Sequence, residues 1–338
     1  MEGSPMLLDV RNLRKYFILQ KGFMRKTVGT VKAVDDVSFA ISRGETLGLV
    51  GESGCGKTTV AKSILRAVQP TAGEILFQDD GNSQDLAKLE KDALKKARRN
   101  VQMIFQDPFS SLNPRQRVRD IIGEPLYVNN VAKGKELEAR VSELMASVGL
   151  RPEYMIRYPH AFSGGQRQRI GIARALALNP KLIICDEPVS ALDVSIQAQI
   201  LNLLKDLQDD LGLTYLFISH DLGVVQHISD RVAVMYVGRL VEIAPTTEIF
   251  KHPRHPYTEA LLSASPKPHP KYRGRSHIIA GEVPDPSYQA TGCYFYQRCN
   301  YRKPICAEQY PPLQNVLAQG AVHLAACHFA NELTLSGI

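Results

Sequence analysis

The stretch Gly51-Glu-Ser-Gly-Cys-Gly-Lys-Thr58 has the spacing G-x-x-x-x-G-K-T of a phosphate-binding P-loop. Residues 45–51 form a short apolar run bounded by charge, which is typical of a buried parallel strand. After the stretch, apolar residues recur at helical spacing. Because a P-loop needs a strand, a glycine-rich turn and a helix in this order, the sequence predicts a nucleoside triphosphate site here.

The residue types of this loop suit phosphate chemistry. Glycines let backbone N–H groups curl around phosphate oxygens, and the positive end of the following helix adds to that field. We expect Lys57 to act as a catalytic residue that reaches the β- and γ-phosphates, and the Thr58 hydroxyl to bind Mg²⁺. The predicted nucleotide-binding residues of the loop are Gly51, Glu52, Ser53, Gly54, Cys55, Gly56, Lys57, Thr58 and Thr59.

Composition and charge are those of an ordinary protein of the cytoplasm. The chain has 338 residues, 44% of them hydrophobic, and a formal net charge of +7. No run of eighteen apolar residues occurs, and charges interrupt the first twenty residues, so we expect neither a membrane span nor a signal peptide. Six basic residues between 88 and 99 indicate a solvated helix face rather than a nucleic-acid surface, since no aromatic residues are interleaved. A weak attraction to an anionic membrane surface stays open.

The order of patterns along the chain indicates an α/β fold. Residues 6–50 alternate in short runs typical of strands, except that residues 18–30 have the composition of a loop insertion. Residues 118–158 have helical spacing without a strand pattern, which predicts an inserted helical segment. Further strands are predicted at 101–106, 181–187, 214–220, 231–237 and 239–243. From residue 251 onward the sequence is irregular and rich in Pro, His and Tyr.

Polar side chains follow several of these strands. Asp186 is expected to hold Mg²⁺ through water, and the adjacent Glu187 is expected to polarise the attacking water. Gln106 follows the strand at 101–106. His220 also ends a strand and is a candidate to contact the γ-phosphate and the water, although a lone histidine there is more often structural. Together with the P-loop, the two carboxylates indicate an ATPase site.

Two neighbouring aromatic residues are candidates for stacking on the adenine ring. Tyr16 and Phe17 lie between two strand-like runs, and packing in the core is the alternative for both.

The motifs resemble, in order and spacing, those of the ATP-binding subunit of an ABC transporter. They are the P-loop, Gln106, Ser163-Gly-Gly-Gln166, Asp186-Glu187, Ser190-Ala-Leu-Asp193 and His220. The resemblance implies a P-loop, RecA-like ABC nucleotide-binding domain over residues 6–245, with an antiparallel β subdomain and an inserted helical subdomain at about 107–165. Residues 246–338 would form an irregular C-terminal extension that contains cysteines.

The resemblance also implies a site shared by two subunits. In that family each ATP lies between one P-loop and the signature loop of the other subunit, which here is Ser163, Gly164, Gly165 and Gln166. Glu187, His220 and Lys57 are the implied catalytic residues, and Asp193 would lie at the dimer seam. Phe17 is the implied adenine-stacking residue, with Tyr16 as the second choice. The expected ligands of Mg²⁺ are Thr58, Gln106 and Asp186.

Three further stretches are similar to the dipeptide, oligopeptide and nickel importer subfamily. They are residues 106–115, 158–162 and 252–262. Within them, residues 113–115 and 254–257 are most like the second, F-type, ATPase of the dipeptide system. The implied partners are a paralogous ATPase subunit, two transmembrane permeases and an extracytoplasmic peptide-binding protein, and nucleic acid is not among them. The implied location is the cytoplasmic face of the inner membrane. Import of nickel or another solute stays open, as does a soluble ABC ATPase acting on ribosomes or DNA.

Four of the six cysteines lie near the end of the chain in the pattern C-x5-C-x6-C-x20-C. This differs from the CxxC pairs of a zinc ribbon, and four thiolates suit Zn²⁺ or an iron–sulfur cluster equally by ligand type. The resemblance implies a 4Fe–4S cluster at Cys293, Cys299, Cys306 and Cys327. Zinc and free thiols are the alternatives.

Overall fold

Two units make up the protein in the computed structural model, which describes residues 5–21, 26–79, 81–264, 291–317 and 322–338. The first unit consists of residues 42–45 and 89–218, with the amino-terminal residues up to Pro5. The second unit consists of residues 6–41, 46–88 and 219–338.

Strands and helices alternate through most of the described chain. The strands are β1 (Met6–Lys21), β2 (Lys26–Ser42), β3 (Thr46–Val50), β4 (Ala72–Asp79), β5 (Asn82–Asp85), β6 (Val101–Ile104), β7 (Leu182–Asp186), β8 (Thr214–Ile218), β9 (Arg231–Tyr236), β10 (Arg239–Pro245), β11 (Gln314–Asn315) and β12 (Leu324–Ala325). The α-helices are α1 (Lys57–Ile64), α2 (Lys91–Ala97), α3 (Val118–Val128), α4 (Gly134–Ser147), α5 (Gly164–Leu176), α6 (Val194–Leu211), α7 (Leu222–Ile228), α8 (Thr246–Lys251), α9 (Pro256–Ala264) and α10 (Ile305–Glu308).

An antiparallel sheet of the second unit has the strand order β2-β1-β4-β5. Strands β1 and β4 pair so that Leu8 lies opposite Phe77 and Val10 opposite Ile75, and all four side chains are buried. Because successive side chains of a strand point to opposite faces, this register gives the sheet one apolar face.

The prediction of a loop at residues 18–30 is wrong for residues 18–21 and 26–30, which the structure describes. Residues 18–21 continue β1, and residues 26–30 open β2. The segment contains Ile18, Val28 and Thr30, residue types that favour a strand once a neighbouring strand is present.

A second sheet of the second unit carries the P-loop. Strand β3 runs parallel to β9, which pairs antiparallel with β10, and β10 continues antiparallel through β12 to β11. All five residues of β3 are buried. A short strand without polar alternation is therefore covered on both faces, as the apolar run at 45–51 predicted.

The first unit contains the parallel strands β6, β7 and β8. Ile104 lies beside Cys185, and Asp186 lies beside Ile218, so the carboxyl ends of the three strands meet at one edge. Helices α3, α4 and α5 pack on one another, which agrees with the predicted helical insertion. Helix α6 ends at Gly212, whose φ of 62° is left-handed and favours glycine. Among the described residues, no helix is both long enough and apolar enough for a membrane crossing.

Candidate functional site

The path of the P-loop depends on two glycines. Gly51 leaves β3 with a φ of 151°, and a Cβ there would overlap the carbonyl oxygen of Met235. Gly56 precedes α1 with a φ of 111°, and a Cβ there would overlap the carbonyl oxygen of Ala33. Since an L side chain fits neither position, the G-x-x-x-x-G spacing follows from the shape of the loop.

Lys57 and the start of α1 give the loop its positive character. The Lys57 side chain is buried, and its Nζ donates to the carbonyl oxygens of Gly51 at 2.7 Å and Glu52 at 3.0 Å. Within the described chain, no side chain caps α1 and no acidic residue lies in its first turn. The N–H groups of this turn, which includes Thr58 and Thr59, are therefore suited to an anion.

The remaining loop residues divide by exposure. Ser53 and Gly54 are exposed, whereas Cys55 is buried and burial raises the pKa of its thiol. Cys55 is therefore a packing residue whose backbone, rather than its thiol, is available for phosphate.

Glu52 is held by two residues that lie more than two hundred positions later in the chain. Its N–H donates to the Tyr257 hydroxyl at 2.8 Å. Its carboxylate accepts from both terminal nitrogens of Arg298, at 2.8 and 2.9 Å, and this hydrogen bonding raises the pKa of the nearly buried guanidinium. Sequence reasoning missed Tyr257 and Arg298. The available signal was the acidic residue itself, because a carboxylate inside a phosphate-binding loop calls for a basic partner.

The two adenine-stacking candidates have different surroundings. Phe17 is 41% exposed, and the Lys15 ammonium lies 4.8 Å from the centre of its ring. The Tyr16 hydroxyl donates to Asp35, and burial together with this carboxylate raises the pKa of Tyr16 to about 12. Asp35 also accepts two bonds from Arg239. Phe17 is thus the ring that a ligand can reach.

His220 lies in the second unit, directly after β8. It is exposed, and the next residue, Asp221, caps α7 by accepting from the N–H groups of Gly223 at 2.8 Å and Val224 at 3.3 Å. The cap fixes the backbone immediately after His220, which lies two residues beyond the end of β8.

In the first unit, the strand ends bring Gln106 and Glu187 together. The Gln106 Nε2 donates to the Glu187 Oε2 at 3.0 Å. Asp186, the last residue of β7, is buried. Glu187 has a φ of 48°, and its N–H donates to the carbonyl of Ile218 at 2.9 Å. A left-handed conformation in a residue with a side chain is costly and is concentrated at functional sites.

The signature loop is an exposed helix start. Ser163 caps α5, since its Oγ accepts from the N–H of Gln166 at 3.4 Å while the Gln166 Oε1 accepts from the N–H of Ser163 at 3.1 Å. Ser163 is exposed, and Gly164, Gly165 and Gln166 are partly exposed. A Cβ on Gly165 would press against Ile196 of α6, so this glycine lets the two helices pack. Asp193, at the start of α6, is also exposed.

The oxygen donors predicted for Mg²⁺ suit that ion, whereas the four cysteines are not arranged as a metal site. For Mg²⁺, the Thr58 hydroxyl, the Gln106 amide oxygen and the Asp186 carboxylate are the oxygen donors that this ion prefers. For the cysteines, the arrangement does not support the predicted 4Fe–4S cluster. In the described residues, no group of three or more His, Cys, Asp or Glu side chains is placed to hold a metal ion.

The four cysteines nevertheless line one cavity. Its lining includes Cys293, Cys299, Cys306 and Cys327 together with Phe295, and its volume is about 20 Å³. Burial raises the pKa of Cys293 to about 12 and that of Cys327 to about 11. Because a metal binds cysteine as the thiolate, this burial in the absence of metal opposes metal binding.

Comparison with known proteins places these features in context. The chain matches the ABC transporter family over residues 34–190, and the C-terminal region of oligopeptide/dipeptide transporters over residues 241–306. It is 52% identical to the oligopeptide transport ATP-binding protein AppF of Bacillus subtilis (strain 168), over 96% of this chain and 98% of that protein. It is 48% identical to the dipeptide transport ATP-binding protein DppF of Haemophilus influenzae, over 93% of this chain and 94% of that protein.

Solved structures with the same fold include two ATP-binding cassettes. The cassette MJ0796, a dimer in a post-hydrolysis state bound to ADP and Pi, matches with a TM-score of 0.61 and 28% identity, over 71% of this chain and 99% of that one. The protein cbiO1 of Clostridium perfringens, part of the complex cbiONQ, matches with a TM-score of 0.60 and 27% identity, over 73% and 91%.

Proposed function

This chain belongs to the ABC transporter family, among the ATP-binding proteins of oligopeptide and dipeptide importers, and from this premise we propose how its residues use ATP to drive peptide import. The relatives confirm the predicted ATPase function, and the structural neighbours confirm the predicted cassette fold. Beyond this, we infer the roles of single residues, the partners and the place of the protein in the cell.

Hydrolysis is assigned to residues at the strand ends. The N–H groups of the P-loop and the Lys57 ammonium bind the triphosphate, and Phe17 stacks on the adenine. Glu187 orients the attacking water and accepts its proton, while His220 contacts the γ-phosphate. Thr58, Gln106 and Asp186 would hold Mg²⁺, which would supply charge neutralisation at the phosphates.

One observation carries this assignment: the 3.0 Å hydrogen bond between Gln106 and Glu187. It positions the Glu187 carboxylate at the end of β7 through an uncharged amide donor, which adds no positive charge of its own. The left-handed backbone at Glu187 supports the same role, because such conformations persist where a function requires them.

The signature loop is proposed to act on the ATP of another subunit. Its support is the exposed start of α5, where the N-cap residue Ser163 and the N–H groups of Gly164 and Gly165 present a positive helix end. The second subunit is proposed to be a paralogous ATPase, and Asp193 lies at the seam. Two permeases and an extracytoplasmic peptide-binding protein complete the importer, and this chain is proposed to lie at the cytoplasmic face of the inner membrane.

Reconstitution tests the substrate class. The protein, its paralogue and the two permeases are placed in lipid vesicles, and ATP hydrolysis is measured as the external binding protein is added with dipeptide, with oligopeptide or with Ni²⁺. We expect peptide to raise hydrolysis and peptide to accumulate inside. Stimulation by Ni²⁺ alone would move the protein to the nickel importers, and stimulation by RNA or DNA without permeases would exclude transport.

We also propose that the four cysteines bind a metal, either a 4Fe–4S cluster or zinc. Its support is that all four thiols line one cavity, although their arrangement is not that of a metal site. Anaerobic purification followed by iron, sulfide and zinc analysis distinguishes the cases. Four irons and four sulfides per chain establish the cluster, one zinc establishes the alternative, and four titratable thiols without metal refute both.

A further inference from the structure

We propose that Arg298 and Tyr257 are positioning residues of the ATP site, which hold the P-loop through Glu52 and neutralise the carboxylate that this loop carries. The proposal rests on the proposed function, because it concerns how the same P-loop binds ATP. It assigns to the C-terminal extension a part in nucleotide binding.

Arg298 neutralises the negative charge that Glu52 places in the P-loop. Glu52 is the second residue of a loop built to bind a triphosphate, so an uncompensated carboxylate there would repel the ligand. Arg298 meets this carboxylate with two parallel hydrogen bonds of 2.8 and 2.9 Å. Such a two-point pair with a planar guanidinium is among the stronger and more directional ion pairs in proteins. The Arg298 side chain is only 6% exposed, so solvent screens the pair weakly.

Tyr257 holds the backbone of the P-loop at Glu52. The Tyr257 hydroxyl accepts the N–H of Glu52 at 2.8 Å, and this N–H is consequently not available to a phosphate. Phosphate binding is left to the N–H groups later in the loop and at the start of α1. Tyr257 thus fixes the side of the loop from which the phosphates are bound.

Tyr257 and Arg298 are themselves held in place by aromatic neighbours. Tyr257 packs against Tyr236 and Phe295, with ring centroids 4.5 and 5.4 Å apart. The Arg298 guanidinium lies 5.8 Å from the Tyr236 ring and 5.9 Å from the Phe295 ring, and it donates to the Tyr236 hydroxyl at 3.3 Å. Because Tyr236 ends β9, the strand beside β3, this aromatic cluster is anchored in the sheet that carries the P-loop.

Binding of nucleotides to the full chain tests the proposal. Equilibrium dissociation constants for ATP, ADP and AMP are measured for the wild type and for Arg298→Gln, Arg298→Lys, Glu52→Gln and the double variant Glu52→Gln/Arg298→Gln. Thermal unfolding of each variant is followed in parallel. Arg302→Gln is the matched control, since Arg302 is exposed and contacts Gln297 and Tyr296 instead of the loop.

We expect Arg298→Gln to weaken ATP binding by about tenfold or more, because it leaves the carboxylate of Glu52 unpaired beside the phosphates. The loss should be larger for ATP than for ADP and smallest for AMP, following the charge of the ligand. Arg298→Lys should be intermediate, and the double variant should recover most of the affinity because both charges are gone. Arg302→Gln should bind like the wild type.

Two outcomes overturn the proposal. One is a folded Arg298→Gln protein that binds ATP with wild-type affinity. The other is a double variant as weak as Arg298→Gln, with equal losses for ATP and AMP, which would show a structural effect without a role for charge. Should Arg298→Gln fail to fold, Arg298→Lys and the double variant still decide between these results. A wild-type protein that does not bind ATP would refute the proposed function instead.

Discussion

The backbone and the side-chain contact of Glu187 both fix the position of its carboxylate. The left-handed turn after β7 lets the residue leave the strand at once, and Gln106 then holds one of its carboxylate oxygens at 3.0 Å. A general base has to be held in this way, within hydrogen-bond reach of the proton that it accepts.

Replacing Glu187 by Gln tests the base. We expect the rate of ATP hydrolysis to fall by about 10²–10⁴-fold, the range in which a positioned base contributes, while ATP affinity changes little. Single-turnover hydrolysis and equilibrium ATP binding measure the two quantities. Glu136→Gln, an exposed substitution of the same kind on α4, should hydrolyse normally. Hydrolysis at a normal rate in Glu187→Gln would show that another group is the base.

Replacing Phe17 by Ala tests the adenine contact. Stacking of a base on an aromatic ring contributes about 1–3 kcal/mol, so we expect ATP to bind about 5–100-fold more weakly. Displacement of a fluorescent ATP analogue measures this change. Tyr16→Phe keeps its ring and loses only the bond to Asp35, so its affinity should be unchanged. If Tyr16→Phe lost much of its ATP affinity while Phe17→Ala bound ATP normally, Tyr16 rather than Phe17 would be the adenine contact.

Asp35 gives the stability of the protein a dependence on acid pH. Burial alone would raise the pKa of this carboxyl, but the hydrogen bonds from Tyr16 and Arg239 lower it below its ordinary value. A carboxyl with a lowered pKa stabilises the fold fully above its unfolded pKa of about 3.9. That stability is lost as the pH falls through the folded pKa.

We expect Asp35→Asn to lower the free energy of unfolding at pH 7 by about 2–4 kcal/mol, because Arg239 loses its buried partner. The free energy of unfolding of this variant should also change less than that of the wild type as the pH falls below about 4. Urea unfolding at a series of pH values measures both effects. Asp36→Asn is the control, since its ion pair with Arg14 is exposed and should contribute little. Equal pH dependence in Asp35→Asn and the wild type would contradict the assignment.

Single residues were predictable from sequence where their motif is local. Lys57 and Glu187 lie in short motifs whose spacing reflects one turn or one strand end. Arg298 and Tyr257 were missed because they reach Glu52 across 246 and 205 positions, and no periodicity links positions so far apart. Their roles depend on tertiary packing that a sequence pattern does not contain.

Among the elements, the buried strands and the amphipathic helices were the most predictable. Strands β7 and β8 are wholly buried, and their apolar runs are unambiguous in the sequence. Helix α6 buries Ile200, Leu204 and Leu207 at helical spacing. Strands β1 and β2 were underestimated at 18–30, since their length depends on pairing with neighbouring strands rather than on local composition.

Helix α5 offers a test at the scale of one element. Ser163→Ala removes one half of the capping box, so we expect the free energy of unfolding to fall by about 1 kcal/mol. Chemical denaturation measures this change. Ser147→Ala is the control, because the Ser147 hydroxyl is exposed near the end of α4 and should contribute less than about 0.5 kcal/mol. An unchanged stability of Ser163→Ala would show that the box seen at this helix start is not stabilising.

At the scale of the whole molecule, the proposed function requires pairing driven by ATP. In the Glu187→Gln variant with Mg²⁺ and ATP, mixed with the second ATPase subunit of the transporter, we expect the measured mass to shift from monomers to a dimer. Adding Ser163→Arg should prevent the shift, because the longer cationic side chain would fill the exposed helix start. Light scattering after size exclusion measures the mass. A dimer that forms equally without ATP would contradict nucleotide-driven pairing.

The contact between Arg298 and Glu52 also has a consequence during biosynthesis. The ribosome makes Glu52 early, whereas its guanidinium partner follows 246 residues later. At about 5–20 residues per second, the nascent chain waits roughly 12–50 s before this ion pair is able to form. If Arg298 positions the P-loop as proposed, we expect a nascent chain to reach full nucleotide affinity only after Arg298 has been made and has packed against Glu52.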